Sequence, residues 1–358
     1  MSRSPALSAR RPMTLAAAAA AAGLLTAVAP FAHAGSAKAK GFHVSGSTLL
    51  DANDKPFVMR GVNIQNVTSP GATAQALNDI AKAGANTVRM TVTAKVNTDG
   101  SDNGSSAKDL TKIIAQCKKV KLICVFVDQD TSGYGESGSS AVTLSQAATY
   151  WQSVKSAFAG QEAYTAIDIG ELPYGSTMAS QWTNEATAAV KAMRAGGFKQ
   201  TLLLTGPDYG EDVSGVMRTN AAKVFAADAL RNTVFSVAMY SNYYNAAKVK
   251  AYGDAYIVRK LPLVIGEFSW AYLPWGFWNA TSGGADGPDE AAIMAYAQQK
   301  GIGWNAYAWT GSSTEKAYDD MVIAGNAAAQ TPWYGTVVTG ANGLKATSQP
   351  ASVYQGGR

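Results

Sequence analysis

Histidine is nearly missing from this chain of 358 residues, which holds two, His33 and His43. A histidine-ligated metal centre or a Ser-His-Asp triad needs more imidazole than that, so both are close to excluded and no cofactor is expected. Cysteine is equally scarce, with Cys117 and Cys124 alone. They fall at a predicted helix end and in the strand that follows, and they read as two buried thiols rather than a disulfide. Charged residues make up 15% against 47% hydrophobic, enough to bury a sizeable core and too apolar for a chain dominated by disorder. Glycine-rich phosphate loops of the GxGxxG or GxxxxGK type are absent, which argues against an open nucleotide-binding sheet. No Lys/Arg stripe is interleaved with aromatics, so nucleic acid is not an expected partner.

The basic character lies largely at the N-terminus. Arg3, Arg10 and Arg11 precede an apolar run from about Leu15 to Val28, and Ala32-His33-Ala34 supplies small residues at a cleavage site. Residues 1–34 read as a secretory signal cut after Ala34, because the run is shorter than the ~20 residues a bilayer requires. A secreted or periplasmic product without a membrane segment is expected. Removing three arginines from a net charge of +5 leaves about +2 (5 − 3 = 2) on the mature chain.

What is abundant is a repeat of apolar strand and amphipathic helix. Eight strand candidates begin at Phe57, Asn86, Lys121, Tyr164, Gln200, Thr233, Leu261 and Ile302. Each is a nearly continuous run rich in β-branched or aromatic residues, as strands buried on both faces are. Helical segments lie between them, among them those starting near Ala72 and Ser106. The one beginning at Pro288 has proline in its first turn and Gly301 past its end. Eight such units predict an α/β fold, a (β/α)8 TIM barrel, as a single domain over residues 35–347. A short N-terminal β-hairpin turning at Asp51–Asp54 would cover the barrel floor, residues 348–358 would form a loose tail, and a monomer is expected.

In such barrels the working residues lie at the C-terminal strand ends. Those ends carry Asn63, Arg89, Asp130, Glu171, Tyr240, Glu267 and Trp309 in chain order. Carboxylates on strands 4 and 7 face one another across a barrel mouth. Retaining glycosidases use such a pair, one as nucleophile and one as acid then base, about 5–5.5 Å apart.

The stretches GFHVSGSTLLDANDKPFVMRGVN, NTVRM, DTSGYGE, LPLVIGEF and TPWYGTVVTGANGL are spread in order along the chain. Through them the sequence resembles glycoside hydrolase family 5, the cellulase and β-mannanase family, in its bacterial β-mannanase-like branch. The resemblance implies β-linked polysaccharide, mannan or glucan, as partner and retaining hydrolysis as the reaction. It implies Glu267 as nucleophile, Arg89 as the arginine that keeps it ionised, Tyr240 beside it and Trp309 as the aromatic floor under the sugar.

Strand 4 departs from the family's Asn-Glu-Pro. In IDIGELPYG, Glu171 falls on the asparagine position and Leu172 on the catalytic glutamate. A leucine neither protonates a leaving group nor activates water, a deficit of about 10²–10⁴ in rate. Three roles stay open for Glu171: a displaced acid/base, a polar ligand contact, or an ion-pair partner such as of Arg89. Family histidines are replaced as well, by Gln129 and Ala238 and at Ile64, Gln65 and Asn66. Hydrolysis by a family-5-like enzyme therefore stands beside a catalytically impaired carbohydrate-binding protein or a repurposed surface or periplasmic interaction protein. Asp130, Trp270 and Trp275 join the candidate substrate-binding set. The aromatics from Trp270 to Trp278 suit either a sugar-stacking wall or packing of their loop onto the barrel. The stretch from Asn97 to Asp109 is loosely calcium-loop-like, but Leu110 stands where a glutamate would be needed, so a solvated loop is expected there.

Overall fold

The computed structural model describes residues 41–95, 103–270, 287–312 and 319–355. The expected leader, the first part of the calcium-like stretch and Trp275 lie outside the described residues. A short antiparallel pair, β1 (His43–Ser45) and β2 (Thr48–Leu50), comes first. Eight parallel strands follow: β3 (Arg60–Ile64), β4 (Thr87–Val92), β5 (Ile123–Asp128), β6 (Thr165–Asp168), β7 (Thr201–Thr205), β8 (Thr233–Met239), β9 (Leu263–Phe268) and β10 (Gly303–Ala306). They pair in sequence order, and β10 closes on β3 to complete the barrel. One principal helix follows each of β3 to β9: α1 (Thr73–Lys82), α2 (Ala107–Lys119), α3 (Leu144–Val154), α4 (Trp182–Ala195), α5 (Val216–Ala227), α6 (Ala246–Val258) and α7 (Glu290–Lys300). This is the (β/α)8 barrel the sequence predicts. Among the described residues no helix is long and apolar enough to cross a membrane.

Two apolar clusters follow from the period-2 alternation of the strands. Outward-facing residues such as Cys124, Phe126 and Ile167 pack under the helices, while inward ones such as Val125, Ala166, Leu203 and Val234 fill the lower barrel. Phe42, Phe57 and Met59 close that lower cluster from below. The hairpin therefore covers the floor as expected, but its tight turn lies at Gly46, with a second turn at Asp51–Asp54 knitted by Asp51.

Three further expectations need correction. Cys117 on α2 and Cys124 on β5 are joined in a disulfide, with Cα atoms 6.4 Å apart. The helix end and the next strand pack face to face, so the two thiols meet across the layer. Residues 348–355 are not loose. Ala351 is buried in the floor cluster, Ser352 N–H donates to Asp51 at 2.8 Å, and the Tyr354 hydroxyl donates to the Leu122 carbonyl at 3.0 Å. Pro288 precedes α7 rather than opening it. Asp289 is the cap, accepting from Ala292 N–H at 2.9 Å, while Gly301 adopts the expected left-handed conformation at the other end.

One irregularity matters for the site. The β8/β9 register slips between Val237 and Ala238, which pair with Ile265 and Glu267 and leave Gly266 unopposed. A bulge of this kind re-aims the next side chain. Glycine is required at 266, because a Cβ there would stand 2.2 Å from the Ser236 hydroxyl.

Candidate active site

At the C-terminal mouth, Arg89 of β4 is wholly buried and gathers four side chains from three other strands or their exits. Its Nη1 donates to Glu267 Oε1 at 2.6 Å, to Asn63 Oδ1 of β3 at 3.0 Å and to Glu171 Oε1 at 3.4 Å. Its Nε and Nη2 donate to a single oxygen of Asp168 at 3.2 and 3.0 Å. Burial works against the guanidinium's charge, but Asp168, then Glu267 and Glu171, outweigh it and raise Arg89 above its ordinary value. Asn63 is itself fixed, its amide donating to the carbonyls of Gly266 and Asn305 at 3.0 Å each.

Glu267, delivered by the bulge at the end of β9, is 3% exposed and also accepts from the Tyr240 hydroxyl at 3.1 Å. Burial and then the charge of Glu267 push the Tyr240 phenol well above its ordinary value, so it stays a hydrogen donor. The three residues the sequence placed here are thus brought together, with Arg89 and Tyr240 both donating to Glu267.

Glu171 resolves differently from its sequence reading. The strand ends at Asp168, not at Glu171, and Gly170 lets the chain turn closely past Thr131, whose hydroxyl would lie 2.5 Å from an added Cβ. Glu171 then hangs on two backbone anchors: its N–H donates to the Asp128 carbonyl at 2.9 Å, and its carbonyl accepts from Thr131 at 2.7 Å. Its carboxyl points into the cluster, ion-paired with Arg89 at 3.4 Å. Burial, then the charge of Glu267, raises Glu171 well above the carboxylate range despite Arg89.

Leu172 is half-buried, in the left-handed region at φ 40°. Its Cδ2 would meet a Cβ on Gly210 at 2.8 Å, and Ala238 stands beside the same point at 2.9 Å. The leucine therefore packs on small residues from the β7 and β8 exits. Tyr174, Asp208, Tyr209 and Asp212 are also left-handed, so this rim concentrates backbone strain.

Trp309 is 1% exposed and tilts against Tyr334, with its N–H bonded to the Asn63 carbonyl at 2.9 Å. Trp270 stacks on Trp333 at 5.8 Å and packs against the core, the packing role for this one ring. Asp130 stands apart from Arg89. Its two oxygens accept from Thr93 Oγ1 at 2.6 Å and Ala94 N–H at 2.8 Å, tying the exits of β4 and β5 together. With Asp128 it lines a separate cavity of about 500 Å³ against Tyr150 of α3. Burial pushes Asp128 up to about 8.

Sequence reasoning missed Asp168, Thr205 and Tyr307, and it noted Gln65 only as a replaced histidine. Tyr307 accepts from Gln65 at 3.0 Å, and burial followed by Glu267 and Glu171 raises its phenol. Its signal was its place two residues before Trp309. Asp168 was visible as a lone charge two residues after the inward Ala166.

Comparison with known proteins agrees with this geometry. The profile of Cellulase (glycosyl hydrolase family 5) matches residues 50–313. A mannan endo-1,4-beta-mannosidase from Streptomyces lividans is 41% identical over 94% of this chain and 83% of its own length. A second, from Cellvibrio japonicus, is 37% identical over 93% and 73%. The crystal structure of a beta-mannanase from Streptomyces thermolilacinus with mannohexaose superposes with a TM-score of 0.80 at 38% identity, covering 89% of this chain and 99% of that one.

Proposed function

The chain belongs to glycosyl hydrolase family 5, in its mannanase-like branch, and from that premise we propose that it is a secreted, monomeric protein that binds β-1,4-mannan at the barrel mouth and hydrolyses it feebly or not at all. Glu267 takes the nucleophile's place, with Arg89 holding its charge and Tyr240 donating to it. Tyr307, partly exposed, supplies aromatic surface near the reacting sugar, whereas Trp309, expected as the floor, is buried beneath it.

One observation carries the reading: Glu171 Oε1 and Glu267 Oε1 are drawn onto the same nitrogen of Arg89, at 3.4 and 2.6 Å. A retaining pair stands about 5–5.5 Å apart so that the scissile bond fits between its carboxyls. A Glu171 carboxyl held on Arg89 beside the nucleophile is committed to that ion pair rather than to a leaving group. Leu172, at the acid/base position, offers no substitute. A second reading is favoured by burial and the charge of Glu267, which raise Glu171 well above the carboxylate range as a general acid requires; it would serve if it turned away from Glu267.

Calorimetry with mannohexaose beside a reducing-sugar assay tests both. Binding with negligible sugar release supports the proposal. Robust release that Glu171→Gln abolishes would establish the second reading, and absence of binding would leave only an interaction scaffold.

A further inference from the structure

We propose that Asp168 is a positioning residue of this site: it locks the plane of Arg89 and, as a third buried carboxylate on one guanidinium, obliges Glu171 and Glu267 to keep one proton between them. The inference rests on reading Glu267 and Arg89 as the working end of the site. The fork formed by Nε and Nη2 of Arg89 is spent on Asp168 Oδ2, at 3.2 and 3.0 Å. Thr205 of β7 donates to the same oxygen at 2.9 Å. With that side clamped, only Nη1 is left to face Asn63, Glu267 and Glu171. Without Asp168 the guanidinium would be free to rotate its fork toward the two glutamates.

Charge counting gives the second half. Asp168 is 0% exposed, and among the described residues Arg89 is the one cation in ion-pair distance of Asp168, Glu171 and Glu267. Three buried anions on one cation are more than a low-dielectric site holds. Burial raises the Asp168 carboxyl, but it takes three hydrogen bonds on one oxygen, two of them charge-assisted, and these together with the charge of Arg89 favour its ionised form. Glu171 has only the longest contact with Arg89 and faces a second carboxyl, so the proton falls there. The remaining neighbours, Tyr240 after β8, Tyr307 after β10 and Asn63 on β3, are neutral and add no compensating charge.

The test is a pH titration of the ligand-free protein with ¹³C-labelled glutamate side chains, followed by NMR. In wild type, one glutamate carboxyl retains its proton well above the ordinary ~4.3. In Asp168→Asn that midpoint falls by about one pH unit or more, because the repelling charge is gone. Asp168→Glu, which restores the charge, returns it upward. A wild type whose glutamates all titrate in the ordinary range overturns the proposal. So does a folded Asp168→Asn with an unmoved midpoint. Should Asp168→Asn fail to fold, Asp168→Ser, smaller and equally uncharged, takes its place with the same outcomes expected. No glycan is present, so this result stands or falls apart from the mannan-binding reading.

Discussion

The two sides of the barrel mouth have had different fates. On the side of β3, β4, β8 and β9, Asn63, Arg89, Tyr240 and Glu267 form a closed set of charge-assisted hydrogen bonds with no gap in it. On the side of β5, β6 and β7, the exits carry Gln129, Leu172 and Gly210, and a leucine side chain fills the space above Gly210 and Ala238. The first side conserves the means of holding a negative charge; the second has lost the means of delivering a proton. The difference shows that the two halves of such a mechanism are structurally separable. Arg89 and Glu267 are also a buried ion pair on which the barrel interior depends, whereas an acid at position 172 would project from a strained rim and support no packing.

The contrast is broken most directly by rebuilding the second side. The double variant Glu171→Asn/Leu172→Glu returns a proton donor and frees Glu267 of its carboxyl neighbour, and it should gain about 10²–10⁴ in mannan hydrolysis over wild type, measured as reducing-sugar release. If it gains nothing, the first side is not a competent nucleophile site either. Next comes stability. Arg89→Met strands buried carboxylates and should cost about 3–5 kcal/mol, whereas Leu172→Ala, at a half-buried position on the rim, should cost about 1 kcal/mol. Chemical denaturation of the two variants measures both, and equal losses would erase the asymmetry.

The smallest effect is on pH dependence. Asp128, whose carbonyl anchors Glu171, has its carboxyl held by burial up to about 8. A carboxyl with a folded value above its unfolded ~3.9 binds more protons in the native state, so its stabilising contribution is complete below about pH 4 and is lost as pH rises toward 8. Wild type should therefore lose denaturation free energy across that window more steeply than Asp128→Asn. Identical slopes would show that the carboxyl ionises freely in the fold.

The barrel was legible because its signal is local: eight apolar runs separated by capped helices need no knowledge of contacts. Arg89, Tyr240 and Glu267 were legible because they sit at strand ends within recognisable motifs. What escaped depended on where a strand stops and which way the next residues turn. Reading the fourth barrel strand through to Glu171 made Glu171 and Leu172 an alternating pair, whereas the strand ends three residues earlier and both lie on a turn. That same misplaced end hid Asp168, whose inward direction only the register discloses. The disulfide and the packed C-terminus arise from contacts between layers and between distant residues, which composition and periodicity do not encode.

The floor carries a consequence for how this protein comes to be made. Phe42 near one end of the described chain and Ala351 near the other share one apolar cluster, and the last barrel strand pairs with the first. A growing chain that has not yet delivered β10 therefore exposes β3 and β9 as unsatisfied edges, the kind of surface on which strands from other molecules add. Closure waits for residues about three hundred positions after Phe42, because contacts so far apart in sequence form late. Removing the segment around Ala351 would leave the barrel unsealed at its base, so that segment acts as its stopper.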